Sequence, residues 1–338
     1  MKASIRFALI FTAVLCVLFS GCRKATDKNI SKTNGFILGF SQIGAESAWR
    51  NCNTRSVQEA AAAAGVQLIY FNAEQKQENQ IKAIRSLIAY QVDVIAFVPI
   101  VSYGWEHVLN EAREAGIPVL ICDRELNMHN DSFFNGFIGT DSLKQGKSAA
   151  EFLVKKYTLN NAEDAPKDRP IRIVELYGTE GSSVAVNRAI GFREILEDHH
   201  SSTGSPRFEI IYSESGDFLR SRGYELMSSI LGTINDIDVI YSHNDSMTLG
   251  AIDAMKERGI KPGKDILIVT IDAEQAAINA LIAGEVNCVV ECNPKQGPEI
   301  IRLAAMLARG EPIPRITYMN EEVFSENDDL SGIPPRGY

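Results

Sequence analysis

The stretch VDVIAFVPIVSYGWEHVLNEAREAGIPVLIC, residues 92–122, decides the fold. Val92 to Val98 is a short apolar run, ended by Pro99, which has no N–H to give to a strand ladder. Residues 105–115 carry helix-forming residues up to Gly116, a residue suited to the left-handed position that closes a helix. Ile117 to Cys122 is a second apolar run. Two such runs separated by one amphipathic helix form a parallel β-α-β unit.

The same pattern extends in both directions. Toward the N-terminus, Phe36 to Phe40 reads as a strand and Ser47 to Ala64 as a helix with Ser47 as its N-cap. Val66 to Tyr70 is the next strand, and Ile81, Ile84, Leu87 and Ile88 mark the apolar stripe of the following helix. The pattern restarts after Asp141. A helix over 142–157 leads through a polar loop to strands at 171–176, 208–212, 239–241 and 266–271. Helices separate them, among them 249–258, stopped by Gly259. The expected fold class is α/β, with two doubly wound parallel-sheet lobes.

At 338 residues, with 45% hydrophobic, 8% aromatic and 23% charged residues, the chain has globular composition and the length for two lobes. Its net charge of −9, with no cationic block, argues against nucleic acid or an anionic membrane as partner. Lys2 and Arg6, the apolar run from Phe7 to Phe19 and then Ser20-Gly21-Cys22 make residues 1–21 a secretory signal. The Ser-Gly-Cys resembles a bacterial lipoprotein box in which Cys22 is lipidated, with Phe19 where such boxes usually carry Leu. Residues 22–34 are a polar tether, and the protein is expected to be exported and held at a membrane only through this lipid anchor, in the periplasm or at the cell surface.

Of six cysteines, Cys16 leaves with the signal and Cys22 is the lipid acceptor. Cys52, Cys122, Cys288 and Cys292 lack metal-ligand spacing and read as core thiols. Cys288 and Cys292 lie in one strand, where four residues span roughly 13 Å, too far for a disulfide. No metal and no cofactor is expected.

Ligands of open parallel sheets bind beyond the C-terminal strand ends. There the chain places Trp49, Arg50, Asp123, Arg124, Thr179, Asn187, Arg188, Phe218, Asn244, Asp272 and Glu291. Carboxylates, amides and guanidinium groups pair with sugar hydroxyls, while aromatic rings cover a sugar's C–H face. Each has a structural alternative: Asp141 and Asp245 are placed to cap helices, Trp49 to pack between lobes, Phe218 to fill core.

Several segments together make the chain resemble the type I periplasmic sugar-binding proteins, the ribose, galactose and galactofuranose receptors of ABC importers, and the galactofuranose receptors most of all. They are Gly39 to Gly44 with Glu46 to Arg50, Gln75 to Ala83, Gly104-Trp105-Glu106, Pro118 to Arg124, Ser215 to Phe218, His243-Asn244-Asp245 and Lys261 to Ile266. The similarity runs from Gly35 to Tyr338. It implies a monomer with two lobes joined by three crossings, residues 35–139 plus 294–321 and residues 140–293 plus 322–338. It implies closure over a monosaccharide, galactofuranose-like or another pentose or hexose, with Trp49, Arg50, Asp123 and Arg124 from the first lobe. Arg188, Phe218, Asn244, Asp272 and Glu291 come from the second. Its partners would be the permease and ATPase subunits of an ABC importer. One position departs: the related receptors carry Asp before the matching Arg, and here it is Asn187.

Two other readings fit less well, and a third stays open. A sugar-responsive transcription regulator shares this fold but needs a basic helix-turn-helix where this chain has a signal. A glycoside hydrolase would need a protonated carboxyl, yet Arg124 beside Asp123 favours the ionised form, and no HExxH, GxSxG or complete phosphate loop occurs. Gln145-Gly146-Lys147-Ser148 looks like the end of a phosphate loop, but Asp141 stands where its first Gly is required. A sensor presenting the sugar to a chemoreceptor or kinase keeps the binding and changes only the client.

Overall fold

The computed structural model describes residues 35–128, 131–159, 166, 169–203 and 208–338. The residues of the expected signal, the lipid-acceptor Cys22 and the tether lie outside them. Among the described residues there are two six-stranded sheets and nine α-helices.

The first sheet holds β1 (Ile37–Gln42), β2 (Gln67–Asn72), β3 (Val94–Phe97), β4 (Val119–Asp123), β5 (Gly136–Gly139) and β11 (Ile316–Tyr318). Their order is β11-β5-β4-β3-β1-β2, parallel at every pairing. Helices α1 (Ala48–Ala63), α2 (Gln77–Ala89), α3 (Glu106–Glu114) and α9 (Gly297–Ala308) cover its faces. The deciding stretch, residues 92–122, folds as β3-α3-β4. Central strands β3 and β4 are buried at every residue, which is why they carry no polar alternation. Ser47 caps α1 by accepting from the Arg50 N–H at 3.1 Å, an interaction typically worth about 1 kcal/mol.

The second sheet holds β6 (Ile171–Tyr177), β7 (Phe208–Ser215), β8 (Val239–Ser242), β9 (Leu267–Asp272), β10 (Cys288–Glu291) and β12 (Val323–Ser325). The order is β12-β10-β9-β8-β6-β7, with only the β10–β12 pairing antiparallel. Helices α4 (Ser142–Leu159), α5 (Ser183–Thr203), α6 (Arg220–Thr233), α7 (Asp245–Glu257) and α8 (Gln275–Ile282) belong to it. Helices α4 and α5 cross closely because both are glycine at the contact. A Cβ on Gly146 would lie 2.1 Å from the Arg188 carbonyl oxygen, and one on Gly191 2.1 Å from that of Leu143. The Gly146 within the partial phosphate-loop pattern is thus a helix-packing residue.

The chain passes between the sheets three times, at residues 140–141, 292–296 and 319–322. Asp141 caps α4 by accepting from the Lys144 N–H, and Asn244, not Asp245, caps α7. Cys52, Cys122, Cys288 and Cys292 are free, buried thiols. Among the described residues no helix is long and apolar enough to cross a membrane, and no His, Cys, Asp and Glu cluster is arranged to hold a metal ion.

Candidate functional site

The C-terminal ends of the two sheets face each other across a narrow cavity. Eight of the eleven residues named from the sequence line it: Trp49, Arg50, Asp123, Arg124, Arg188, Phe218, Asn244 and Asp272. Glu46, Ser47, Val184 and Cys292 complete the lining.

The first lobe contributes an ion-paired chain. Arg50 lies on the first turn of α1, just past the cap, which aims its guanidinium at the end of β4. Its Nε donates to Glu46 Oε1 at 2.9 Å and its Nη2 to Asp123 Oδ2 at 2.7 Å. Burial opposes the charge on Arg50, but Asp123 and Glu46 more than offset it, so its pKa rises further. Two atoms are left over. Arg50 Nη1 and Glu46 Oε2 are buried with no protein hydrogen-bond partner among the described residues. One is a charged donor and one a charged acceptor, and each is costly to bury unless a further group meets it. Arg124 donates to the Ile100 carbonyl at 2.8 Å, and its guanidinium lies 5.5 Å from the centre of the Phe218 ring. Burial, and then Arg50 beside it, push the Arg124 pKa down to about 10.

The second lobe contributes groups already tied to its framework. Arg188 donates from Nε to Gln145 Oε1 at 2.9 Å and from Nη1 to the His243 carbonyl, and its Nη2 stands 3.5 Å from Asp272 Oδ1. Burial raises the Asp272 pKa well above the usual carboxylate range, opposed by Arg188 and reinforced by Asp245 and Glu274. Asn244 accepts from the Met247 N–H at 3.0 Å and donates to the Phe218 carbonyl at 3.2 Å, so one side chain caps α7 and holds the Phe218 loop. The tip of the Phe218 ring meets Gly178, where a Cβ would lie 2.2 Å from Cζ.

Three lining residues sit in sparsely populated backbone: Asp123 (φ 61°), Phe218 (φ 61°) and Asp272 (φ 136°). Non-glycine residues hold such conformations where the surroundings impose them, typically at ligand sites. Trp49 serves two purposes. It lines the cavity, and its indole N–H donates to the Cys292 carbonyl at 2.5 Å while its backbone N–H donates to Glu274 at 3.2 Å. At the rim, Ser102 N–H donates to the Gly181 carbonyl at 2.9 Å and Glu125 N–H to Ser183 Oγ at 2.7 Å, so the lobes meet around the cavity.

Thr179, Asn187 and Glu291 stand outside the lining. The Thr179 carbonyl accepts from Ser182 at the start of α5. Asn187 is half-buried on α5 and reaches the Glu125 carboxyl across the rim. Glu291 points away from the cavity to pair with Arg336 and accept from the Glu322 N–H, because the strand-end carboxylate of β10 is closed over by residues 336–338. Glu46, the residue most in need of a ligand, carries one legible signal, its i,i+4 spacing to Arg50. Ser47 reads only as a cap, and Val184 and Cys292 carry no signal beyond being apolar.

The model of the periplasmic binding protein domain family matches residues 38–312. The chain belongs to that family. This periplasmic binding protein is 42% identical, over 265 residues, to the galactofuranose-binding protein YtfQ of Escherichia coli strain K12, covering 77% of this chain and 79% of that protein. A Mycobacterium smegmatis protein solved in complex with β-D-fucofuranose superposes with a TM-score of 0.80 at 41% identity, covering 86% of this chain and 91% of the other. The binding protein of the arabinose ABC transporter of Shewanella sp. ANA-3, solved with α- and β-L-arabinofuranose, superposes with a TM-score of 0.78 at 37% identity, covering 86% and 92%. Periplasmic binding proteins of this kind bind solutes without transforming them, so this chain is not an enzyme.

Proposed function

We propose that this periplasmic binding protein takes a neutral monosaccharide in its furanose form into the cavity between the lobes and delivers it to an ABC importer. The observation that carries the reading is the buried, unpartnered pair Arg50 Nη1 and Glu46 Oε2. Sugar hydroxyls meet both needs, one accepting from the guanidinium and another donating to the carboxylate. Phe218 and Trp49 supply the apolar surface that a sugar's C–H face requires. The lining favours a neutral ligand: the guanidinium groups of Arg50, Arg124 and Arg188 share it with the carboxyls of Glu46, Asp123 and Asp272, which suit hydroxyls that both donate and accept but crowd a further carboxylate. Three relatives whose names or bound sugars are furanoses support the ring form.

In this reading the lobes, residues 35–139 plus 294–321 and residues 140–293 plus 322–338, close about the three crossings when the sugar contacts both. Cys22 carries the lipid, and the protein works as an exported monomer that presents the closed form to the permease.

Calorimetric titration of the full chain, unfolded and refolded to free it of carried-over sugar, tests this with D-galactose, L-arabinose, D-fucose, D-ribose and D-galacturonate. We expect saturable binding of at least one neutral sugar, with none of D-galacturonate and no sugar consumed. Binding of the uronate in preference, or of no sugar, overturns the proposal.

A further inference from the structure

The Arg188 guanidinium is held by a side chain that leads away from the cavity. Gln145, itself buried on α4, accepts from Arg188 Nε at 2.9 Å. Its amide nitrogen donates to both carboxylate oxygens of Glu321, at 3.0 and 2.9 Å. The amide has one orientation open to it, oxygen toward the cation and nitrogen toward the anion. Glu321 lies in the third crossing, and the same carboxylate accepts from the Asn293 N–H of the second crossing at 3.2 Å. Gln145 stands four residues beyond the first crossing, on the helix that the first crossing enters.

The carboxylate therefore sits where the three crossings converge, and Gln145 bridges it to a cavity-lining cation. The surrounding contacts tighten the arrangement. Met319 N–H donates to the Gly139 carbonyl at 2.9 Å, tying the third crossing to the end of β5, from which the first crossing leaves. Cys292 Sγ lies 3.7 Å from Thr140 Oγ1, tying the second to the first. The close α4–α5 crossing at Gly146, with Tyr241 donating to the Arg188 carbonyl at 3.2 Å, fixes the backbone from which the Arg188 side chain projects. What then sets the pose of the guanidinium is Gln145 on one side, the His243 carbonyl on the other, and Asp272 Oδ1 at 3.5 Å from Nη2. Burial, opposed by Gln145 and Asn293, pushes the Glu321 carboxyl up to about 7, as expected of a charge held in a closed packing and not in water.

We infer that Gln145 and Glu321 are positioning residues that link the pose of ligand-facing Arg188 to the geometry of the three crossings, so that lobe closure and alignment of that guanidinium are one event. The inference rests on the sugar-binding reading above. Rotation of the crossings relative to α4 displaces the Glu321 carboxylate, breaks its fork with Gln145 and frees Arg188. A sugar that fixes Arg188 in turn favours the crossing geometry in which the relay is intact.

The test is a double-mutant cycle in the full chain, with L-arabinose and D-galactose as probes and two readouts. One is affinity. The other is the sugar-induced change in Trp49 emission, which reports closure because the indole bonds across the lobes. Glu321→Ala is expected to weaken binding about tenfold and to shrink the emission change, whereas Glu321→Gln, which keeps an acceptor for Gln145, stays within about threefold of wild type. In a Gln145→Ala background, Glu321→Ala adds no further loss. Melting curves of the sugar-free variants separate folding from positioning, and rescue by Gln at 321 is not expected of a residue that merely fills space. Wild-type affinity in Glu321→Ala, or losses that add in full across the cycle, overturns the relay. Wild-type protein that binds neither probe nor any sugar of the panel overturns instead the function on which the relay depends.

Discussion

The two halves of the cavity wall are built differently, although the two sheets share a strand order apart from the sense of their last strand. In the first lobe, Glu46, Arg50 and Asp123 bond chiefly to one another and leave a buried donor and a buried acceptor unspent. In the second, Arg188 is spent on Gln145 and the His243 carbonyl, and Asn244 on the α7 cap and the Phe218 loop. A pre-oriented group with an unmet valence gains most from a ligand, since water in a narrow polar site is replaced by a better-placed hydroxyl. A group already saturated by its framework gives shape and a shared surface. The first lobe is thus organised to recognise, and the second to enclose and to register closure.

The sharpest way to break this contrast is to remove the guanidinium that joins the first-lobe chain. Arg50→Leu leaves Asp123 and Glu46 as buried carboxylates without their cation. We expect sugar affinity to fall by about a hundredfold or more, with a lower melting temperature, because breaking one side of a buried charge network costs several kcal/mol. Arg50→Lys keeps the charge but not the fork, and should recover only part of the loss. Calorimetry of both variants beside wild type checks this, and an Arg50→Leu protein that binds within threefold of wild type would remove the first lobe from its recognising role.

The second-lobe counterpart is Phe218→Leu. Leucine retains much of the apolar contact over Gly178 but loses the flat face and the contact with Arg124. Affinity should fall about tenfold, an effect well below that of Arg50→Leu, since the ring supplies surface and not a charged hydrogen bond. Equal losses in the two variants would erase the distinction between the halves.

How much of this was legible in the sequence differs by element. The central strands were, because residues buried on both faces leave uninterrupted apolar runs such as Val92 to Val98. Strand β5, Gly136-Phe137-Ile138-Gly139, was not, since two glycines weaken the local signal, and the three-residue strands β11 and β12 are too short to carry a period. In the site, residues that close or follow a readable strand were found by position alone: Asp123 at the end of β4, Asn244 after β8, Asp272 at the end of β9. The Asn293 and Glu321 contacts were out of reach, because they depend on how three separate crossings meet, which no local pattern encodes.

Glu291 exposes the limit of reasoning from strand ends, and the smallest predicted effect follows from it. It ends β10 as Asp272 ends β9, and the two are paired residues of neighbouring parallel strands. From sequence they are equivalent. What separates them is a tail: Arg336 pairs with the Glu291 carboxylate, while Tyr338 donates to the Asp272 carbonyl at 3.1 Å and leaves the Asp272 carboxylate toward Arg188. Glu291 also accepts from the Glu322 N–H at 2.9 Å, so its second oxygen is committed as well. Glu291→Gln keeps the shape and an acceptor for Glu322 but removes the charge that balances Arg336. The cost should appear in folding, about 1–3 kcal/mol of stability read as a lower melting temperature. Affinity for the sugar should stay within about twofold, because no group facing the cavity has lost its partner. The same change at Asp272, whose carboxylate faces Arg188 and lines the cavity, should move affinity more than stability. If instead Glu291→Gln weakens binding as strongly as the Asp272 variant, the carboxylate turns toward the sugar when the lobes close, and the second lobe recognises its ligand with more than shape.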